Sequence, residues 1–160
     1  MAIEIGERIP DVAAWTMNDD APQSVRTGEV LGNGRVVLFA VPGAFTPTCS
    51  DYHLPGFVIR ARDLQEKGVD KIVCVSVNDP FVMGAWGEAQ GVGDDVVMLS
   101  DGNGEFAAAM GLQMDGSGVG LGSRSRRYAA VIDDGVVSWL AVEDGPGLDV
   151  SSANAVLASL

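Results

Sequence analysis

The stretch Arg35–Ser50, RVVLFAVPGAFTPTCS, decides the fold. Its opening, Arg35–Val41, is an unbroken apolar run of strand length rich in β-branched residues, the mark of a strand buried on both faces. Pro42 and Gly43 interrupt it. Thr46 and Pro47 then read as a helix start, with a hydroxyl residue at the N-cap and proline at the first helical position. Downstream, Leu54, Phe57, Val58, Ala61 and Leu64 recur at helical spacing until Gly68, with a kink or break expected at Pro55-Gly56. Lys71–Val77 (KIVCVSV) is a second buried strand, Pro80–Gln90 a second helix, Val96–Leu99 a third strand and Gly104–Met110 a short helix. Asp115–Gly122 is Gly-rich and reads as one long flexible loop. Tyr128–Ile132 and Val136–Val142 flank the turn Asp133-Asp134-Gly135 as an antiparallel hairpin, and Ser151–Leu160 closes the chain as a helix capped by Ser151 or Ser152.

The resulting order, βαβαβα followed by a β-hairpin and a helix, is α/β. It predicts a mixed central sheet flanked by helices, in a thioredoxin-like arrangement. At 160 residues the chain fits one domain spanning 1–160, and 47% apolar content with 20% charge excludes a wholly disordered chain. No apolar run approaches the roughly 18–20 residues of a membrane span, and MAIEIGERIP carries no secretory signal pattern. A soluble, cytoplasmic protein is expected, with no membrane partner. A net charge of −12 repels phosphate backbones, which argues against nucleic acid. Against that balance, Arg124, Arg126 and Arg127 cluster.

Only Cys49, Cys74 and His53 offer soft or imidazole ligands, without metal-binding spacing, so neither a metal nor another cofactor is expected. Cys49 is the residue in a chemically special place. It falls in the first turn of the helix begun at Thr46, where unpaired N–H groups and the helix dipole favour the thiolate. That turn follows a buried strand, at the edge of the sheet where α/β sites form. Thr46 occupies the position of the first cysteine in a C-x-x-C motif, leaving one activated thiol beside a hydroxyl able to cap the helix or to bind substrate. A nearby guanidinium would hold the thiolate ionised, and any of the three clustered arginines is a candidate, Arg127 at the start of the hairpin strand among them.

PGAFTPTCS, YHLPGF, SVNDPFVMGAW, GLGSRSRRYA and the terminal VSSANAVL together resemble the peroxiredoxin 5 group, or type II peroxiredoxins, from Gly6 to Leu160. The resemblance implies a thioredoxin-like fold, reduction of hydrogen peroxide and organic hydroperoxides through a cysteine sulfenic acid, and a homodimer with its interface beside the site. The family motif PxxxTxxC falls on Pro42, Thr46 and Cys49, and the family arginine on Arg127, immediately before Tyr128. On that basis Cys49 attacks the peroxide, Arg127 holds the thiolate and the peroxide oxygens, and Thr46 orients the substrate. The backbone N–H of Thr48 completes the cradle and Pro42 shields the sulfur. His53 and Phe81 lie near the pocket or the interface in relatives, and a structural role is open for each.

The resemblance leaves the reductant open. Animal relatives carry a resolving cysteine where this chain has Val150. Cys74 matches a cysteine of plant-type members, and is either a core residue or the resolving thiol of a Cys49–Cys74 disulfide reduced by thioredoxin or glutaredoxin. Without it, glutathione or glutaredoxin resolves Cys49 directly. A cysteine hydrolase built on Cys49 and His53, and a non-catalytic peroxide sensor, are the competing classes.

Overall fold

The computed structural model describes residues 1–145 and 147–160. Strand β3 (Arg35–Ala40) lies at the centre of the main sheet, parallel to β4 (Lys71–Ser76) on one side and antiparallel to β8 (Tyr128–Asp133) on the other. Strand β4 pairs in parallel with β5 (Val97–Ser100), and β8 pairs antiparallel with β9 (Val136–Val142). The expected mixed sheet is thus present.

It is larger than expected, because an N-terminal hairpin, β1 (Ala13–Asn18) and β2 (Ala21–Arg26), extends it to seven strands in the order β2-β1-β5-β4-β3-β8-β9. A short helix, α1 (Thr27–Leu31), follows β2.

Alternation along β3 divides the core into two layers. Val37, Phe39 and Val41 face one side together with Cys74, Leu54, Phe57, Trp86 and Val156. These come from α2 (Leu54–Ile59), α4 (Pro80–Ala89) and α6 (Ala153–Ser159) as well as β4. Val36, Leu38 and Ala40 face the other side, under Leu31 of α1 and Phe106 and Met110 of α5 (Glu105–Met110). Each layer buries whole aliphatic and aromatic side chains, at about 1.5–3 kcal/mol apiece. Asp134 and Gly135 both have positive φ, as a type I′ hairpin turn between β8 and β9 requires.

Two local expectations are corrected. The helix is not broken at Pro55-Gly56. A wide π-helical turn over Cys49–His53 leads directly into α2, with the Leu54 N–H bonded to the Cys49 carbonyl. Pro55 has no N–H to give to the preceding turn, and the widening of the helix falls in that turn, immediately before it. The break comes at Arg60, after which α3 (Ala61–Glu66) begins. Asp115–Gly122 is also not one irregular loop. Strands β6 (Gln113–Asp115) and β7 (Ser123–Ser125) pair around a 3-10 turn at Ser117–Val119. The Ser152 hydroxyl, accepting the Ala155 N–H, caps α6.

Candidate active site

The helical run after β3 starts at Pro47, so Thr46 stands at its N-cap position. Its first i→i+4 bond runs from the Ser50 N–H to the Thr46 carbonyl, at 2.9 Å. The N–H groups of Thr48 and Cys49 lie within this first turn and have no helical acceptor. The Thr46 hydroxyl does not cap them. It donates 2.7 Å back to the Gly43 carbonyl, which leaves its lone pairs free to accept.

The Cys49 sulfur is fully buried, and the Arg127 guanidinium meets it. Arg127 Nη2 donates to Cys49 Sγ at 3.0 Å, while Nη1 points to His53 Nδ1 at 2.8 Å. Both side chains reach this spot from distant parts of the chain. Arg127 precedes β8, whose Ala129 and Val131 share the core layer of Cys49, so strand alternation aims it at the thiol. His53 Nε2 lies 2.9 Å from the Ser151 carbonyl. A carbonyl only accepts, so Nε2 carries the proton and Nδ1 receives the Arg127 N–H. Burial, reinforced by the Arg127 charge, lowers the His53 pKa from 6.5 to about 3. The imidazole is therefore neutral near pH 7. With both its nitrogens occupied and no hydrogen bond to Cys49 among the described residues, it is no general base for that thiol, which removes the hydrolase reading.

Arg124 and Arg126 have other tasks. Arg124 Nη1 donates to the Pro42 carbonyl at 3.1 Å and its Nε to the Leu121 carbonyl at 2.9 Å, tying the β6–β7 hairpin to the loop before Cys49. A Cβ on Gly43 would lie 2.8 Å from Arg124 Nη1, so a larger residue there would make the end of the Arg124 side chain shift. Arg126 Nη2 donates to the Glu143 carbonyl. Phe45 in the same loop has φ 64°, an uncommon conformation for a bulky residue, and the loop is anchored beside it. The anchor is Asn78, whose Oδ1 accepts the Ala44 N–H at 2.9 Å and the Ser76 hydroxyl at 2.6 Å.

A cavity of about 500 Å³ opens against these groups. Thr46, Thr48 and Arg127 are among its polar lining, and Pro42, Met114, Val119 and Leu121 among its apolar lining. Arg127 Nε is buried and has no hydrogen-bond partner among the described residues. Sequence reading missed Asn78, Ser151 and Glu143, whose partners are distant in the chain or are backbone groups that no local motif marks.

Cys74, in the middle of β4, is a free, fully buried thiol in the same core layer as Cys49. Burial, reinforced by the Cys49 charge and opposed by Arg127, pushes its pKa well above the usual thiol range.

A lone thiol at a helix start, met by a guanidinium and lacking a second cysteine one turn away, defines a thiol-based redox enzyme on a thioredoxin-like fold. Residues 4–157 match the Redoxin family model. The chain is 51% identical to Peroxiredoxin-2E-2, chloroplastic, of Oryza sativa subsp. japonica, covering 99% of this chain and 72% of that protein. It is 44% identical to Peroxiredoxin-2B of Arabidopsis thaliana, covering 99% and 98%. The crystal structure of reduced Prx3 from Vibrio vulnificus in complex with hydrogen peroxide superposes with a TM-score of 0.93 at 47% identity, covering 98% of each chain. The chain belongs to the Redoxin family, among its peroxiredoxins, and is a thiol-dependent peroxidase.

Proposed function

We propose that Cys49 is the residue that attacks the hydroperoxide and that Arg127, Thr46, the Thr48 backbone and Pro42 build the site around it. The observation that carries this reading is the 3.0 Å contact from Arg127 Nη2 to Cys49 Sγ, made by an arginine that also lines the cavity.

The sulfur, hydrogen-bonded by the guanidinium, attacks one peroxide oxygen as the thiolate, in line with the O–O bond. The S–O bond forms as the O–O bond breaks, and its electron pair leaves with the distal oxygen, which takes a proton and departs as water or alcohol. Sulfur is oxidised by two electrons to sulfenic acid, and the peroxide is reduced by two. The Thr46 hydroxyl, its hydrogen engaged by Gly43, accepts the peroxide O–H and so fixes which oxygen faces the sulfur. Arg127 Nε and the Thr48 N–H face the charge that grows on the departing oxygen. Pro42 closes the wall and keeps bulk water from the sulfur.

Glutathione or glutaredoxin resolves the sulfenic acid in this reading, because Cys74 is buried mid-strand as a poor nucleophile. The placement of both cysteines in one core layer favours a second route, a Cys49–Cys74 disulfide reduced by thioredoxin or glutaredoxin. A reducing compartment such as the cytoplasm suits this reading, in which Cys49 works as a free thiol. Phe45, Tyr52, Phe81 and Val119 are exposed on and around the site, which supports a homodimer joined there. Phe81 then belongs to the interface and His53 to the support of Arg127.

Mass spectrometry of protein treated with one equivalent of hydroperoxide, then with glutathione, tests the assignment. A sulfenate at Cys49 that becomes a glutathione adduct is expected. Oxidation at Cys74 with Cys49 intact would overturn it.

A further inference from the structure

The mechanism uses Arg127 but leaves unexplained what holds its guanidinium in place. One of its terminal nitrogens is spent on His53, so His53 must itself be fixed. Its other anchor is a backbone carbonyl, that of Ser151, in the segment between β9 and α6. Such a segment needs an anchor of its own. Glu143 supplies it: a single oxygen, Oε2, accepts the Asp149 N–H at 2.8 Å, the Ser151 N–H at 2.9 Å and the Ser151 hydroxyl at 2.7 Å.

Glu143 is 7% exposed, and a carboxylate so placed needs its partners to offset lost hydration. Burial acts to raise its pKa, but the donors from Asp149 and Ser151 outweigh burial and hold it below the usual carboxylate range. It is therefore an anion at neutral pH and a strong acceptor. Its main chain grips the same arginine from the other side, the Glu143 N–H donating to the Arg127 carbonyl at 2.9 Å. Arg127 is thus held at its backbone by Glu143 directly. At its guanidinium it is held through Ser151 and His53.

We propose that Glu143 is a positioning residue of the peroxidase reaction, its carboxylate fixing Ser151 so that His53 sets Arg127 against Cys49. The proposal rests on the reading of Cys49 and Arg127 given above. A residue that merely closed a loop would affect stability alone. One that positions Arg127 must also affect the reactivity of the thiol, whatever substrate is offered.

Glu143→Ala, Glu143→Gln and Ser151→Ala test this against wild type. Three readouts serve: the second-order rate with hydrogen peroxide, the rate of Cys49 alkylation by iodoacetamide at pH 7 in a Cys74→Ser background, and the ¹⁵N signature of the His53 tautomer. Loss of a charge-assisted anchor predicts a roughly tenfold fall in both rates for Glu143→Ala, with the imidazole sampling both tautomers. Glu143→Gln, whose amide oxygen can take the place of Oε2, stays within about threefold of wild type and keeps the Nε2–H form. Ser151→Ala removes one donor and leaves the backbone bond, and is expected to slow alkylation by about two- to threefold. It decides the question should Glu143→Ala not fold. A folded Glu143→Ala with wild-type alkylation and a single tautomer overturns the proposal, as does a loss that Glu143→Gln fails to rescue or a wild-type rate in Ser151→Ala. Alkylation does not depend on peroxide, so failure of the peroxidase assignment would show separately, as a wild type with an alkylatable Cys49 that consumes no peroxide.

Discussion

Arg127 Nη1 and His53 Nδ1 are 2.8 Å apart, a permanent cation hydrogen-bonded to an imidazole that can receive it only while neutral. The pair has a consequence for pH. His53 titrates at about 3 in the folded protein against 6.5 in a free chain, through burial first and the Arg127 charge second. The unfolded chain therefore binds the proton more readily throughout the window between these values. Folding stability is unaffected above pH 6.5, falls as pH drops through the window, and loses on the order of 5 kcal/mol by pH 3 from this residue. Urea unfolding between pH 7 and pH 4.5 should show that slope in the wild type and a flatter one in His53→Gln. Equal slopes would show that His53 does not carry it.

Cys49→Ser should abolish thiol-dependent peroxide reduction. The serine hydroxyl is a far weaker nucleophile and does not ionise under Arg127. The residue is fully buried and similar in size, so circular dichroism should report an intact fold, with a stability loss of roughly 1–3 kcal/mol for burying a hydroxyl. Retention of most of the peroxidase rate would remove Cys49 from the mechanism.

Arg127→Lys should behave almost as badly as Arg127→Ala. One guanidinium bridges Cys49 Sγ and His53 Nδ1, and a lysine ammonium has no planar fork to do the same. Losing this preorganised donor should cost about 10²-fold in the rate with peroxide, and Cys49 alkylation at pH 7 should slow with the loss of the donor at Sγ. Arg126→Ala, which loses a bond to the Glu143 carbonyl and no contact to Cys49 among the described residues, should lie much nearer wild type. A stopped-flow comparison of the three variants decides it, and an Arg127→Lys enzyme at full rate would count against the bridging role.

The strand-loop-helix unit Arg35–Ser50 was legible because its information is local. An apolar run, a turn and a Thr-Pro start place Cys49 with no knowledge of the rest of the chain. Strand period also aimed Arg127, through Ala129 and Val131, at the layer that holds the thiol. The β1–β2 hairpin escaped notice because β2 is an almost wholly exposed edge strand with Pro22 inside it, leaving no alternation to read. Strands β6 and β7 span three residues each within Gly-rich sequence. The support of Arg127 was hidden for another reason. His53 and Ser151 are 98 residues apart and meet through a carbonyl that any residue type would offer, and the Asn78 amide reaches the Ala44 N–H across a turn that no local motif marks.

Asn78→Ala should loosen that loop without touching the sulfur. It removes the acceptor of the Ala44 N–H and of the Ser76 hydroxyl, leaving donors stranded at a cost of about 1–3 kcal/mol. Part of that cost should appear in the rate, because Ala44 adjoins Gly43, whose carbonyl orients the Thr46 hydroxyl. Thermal melting and peroxide kinetics on one preparation should both shift downward. A lower melting temperature with an unchanged rate would mean that the loop keeps its shape without Asn78.

The reductant turns on Cys74. It sits in β4 between partners on β3 and β5, opposite Phe39 on one side and Met98 on the other, and burial drives its pKa well above the usual thiol range. As a thiol rather than a thiolate, and pinned in a ladder, it should attack a sulfenic acid slowly, and a disulfide would require part of β4 or the Cys49 turn to come apart. Glutathione can enter the cavity of about 500 Å³ lined by Pro42, Thr46, Thr48 and Arg127, so that only the turn around the buried Cys49, and no part of β4, has to shift. Cys74→Ser should therefore keep nearly full turnover with glutathione and glutaredoxin, while losing roughly 1–3 kcal/mol of stability for the buried hydroxyl. Oxidation of the wild type should yield a glutathione adduct on Cys49 and an unmodified Cys74. A quantitative Cys49–Cys74 disulfide, with turnover lost in Cys74→Ser for glutathione, glutaredoxin and thioredoxin alike, would establish the two-cysteine route instead.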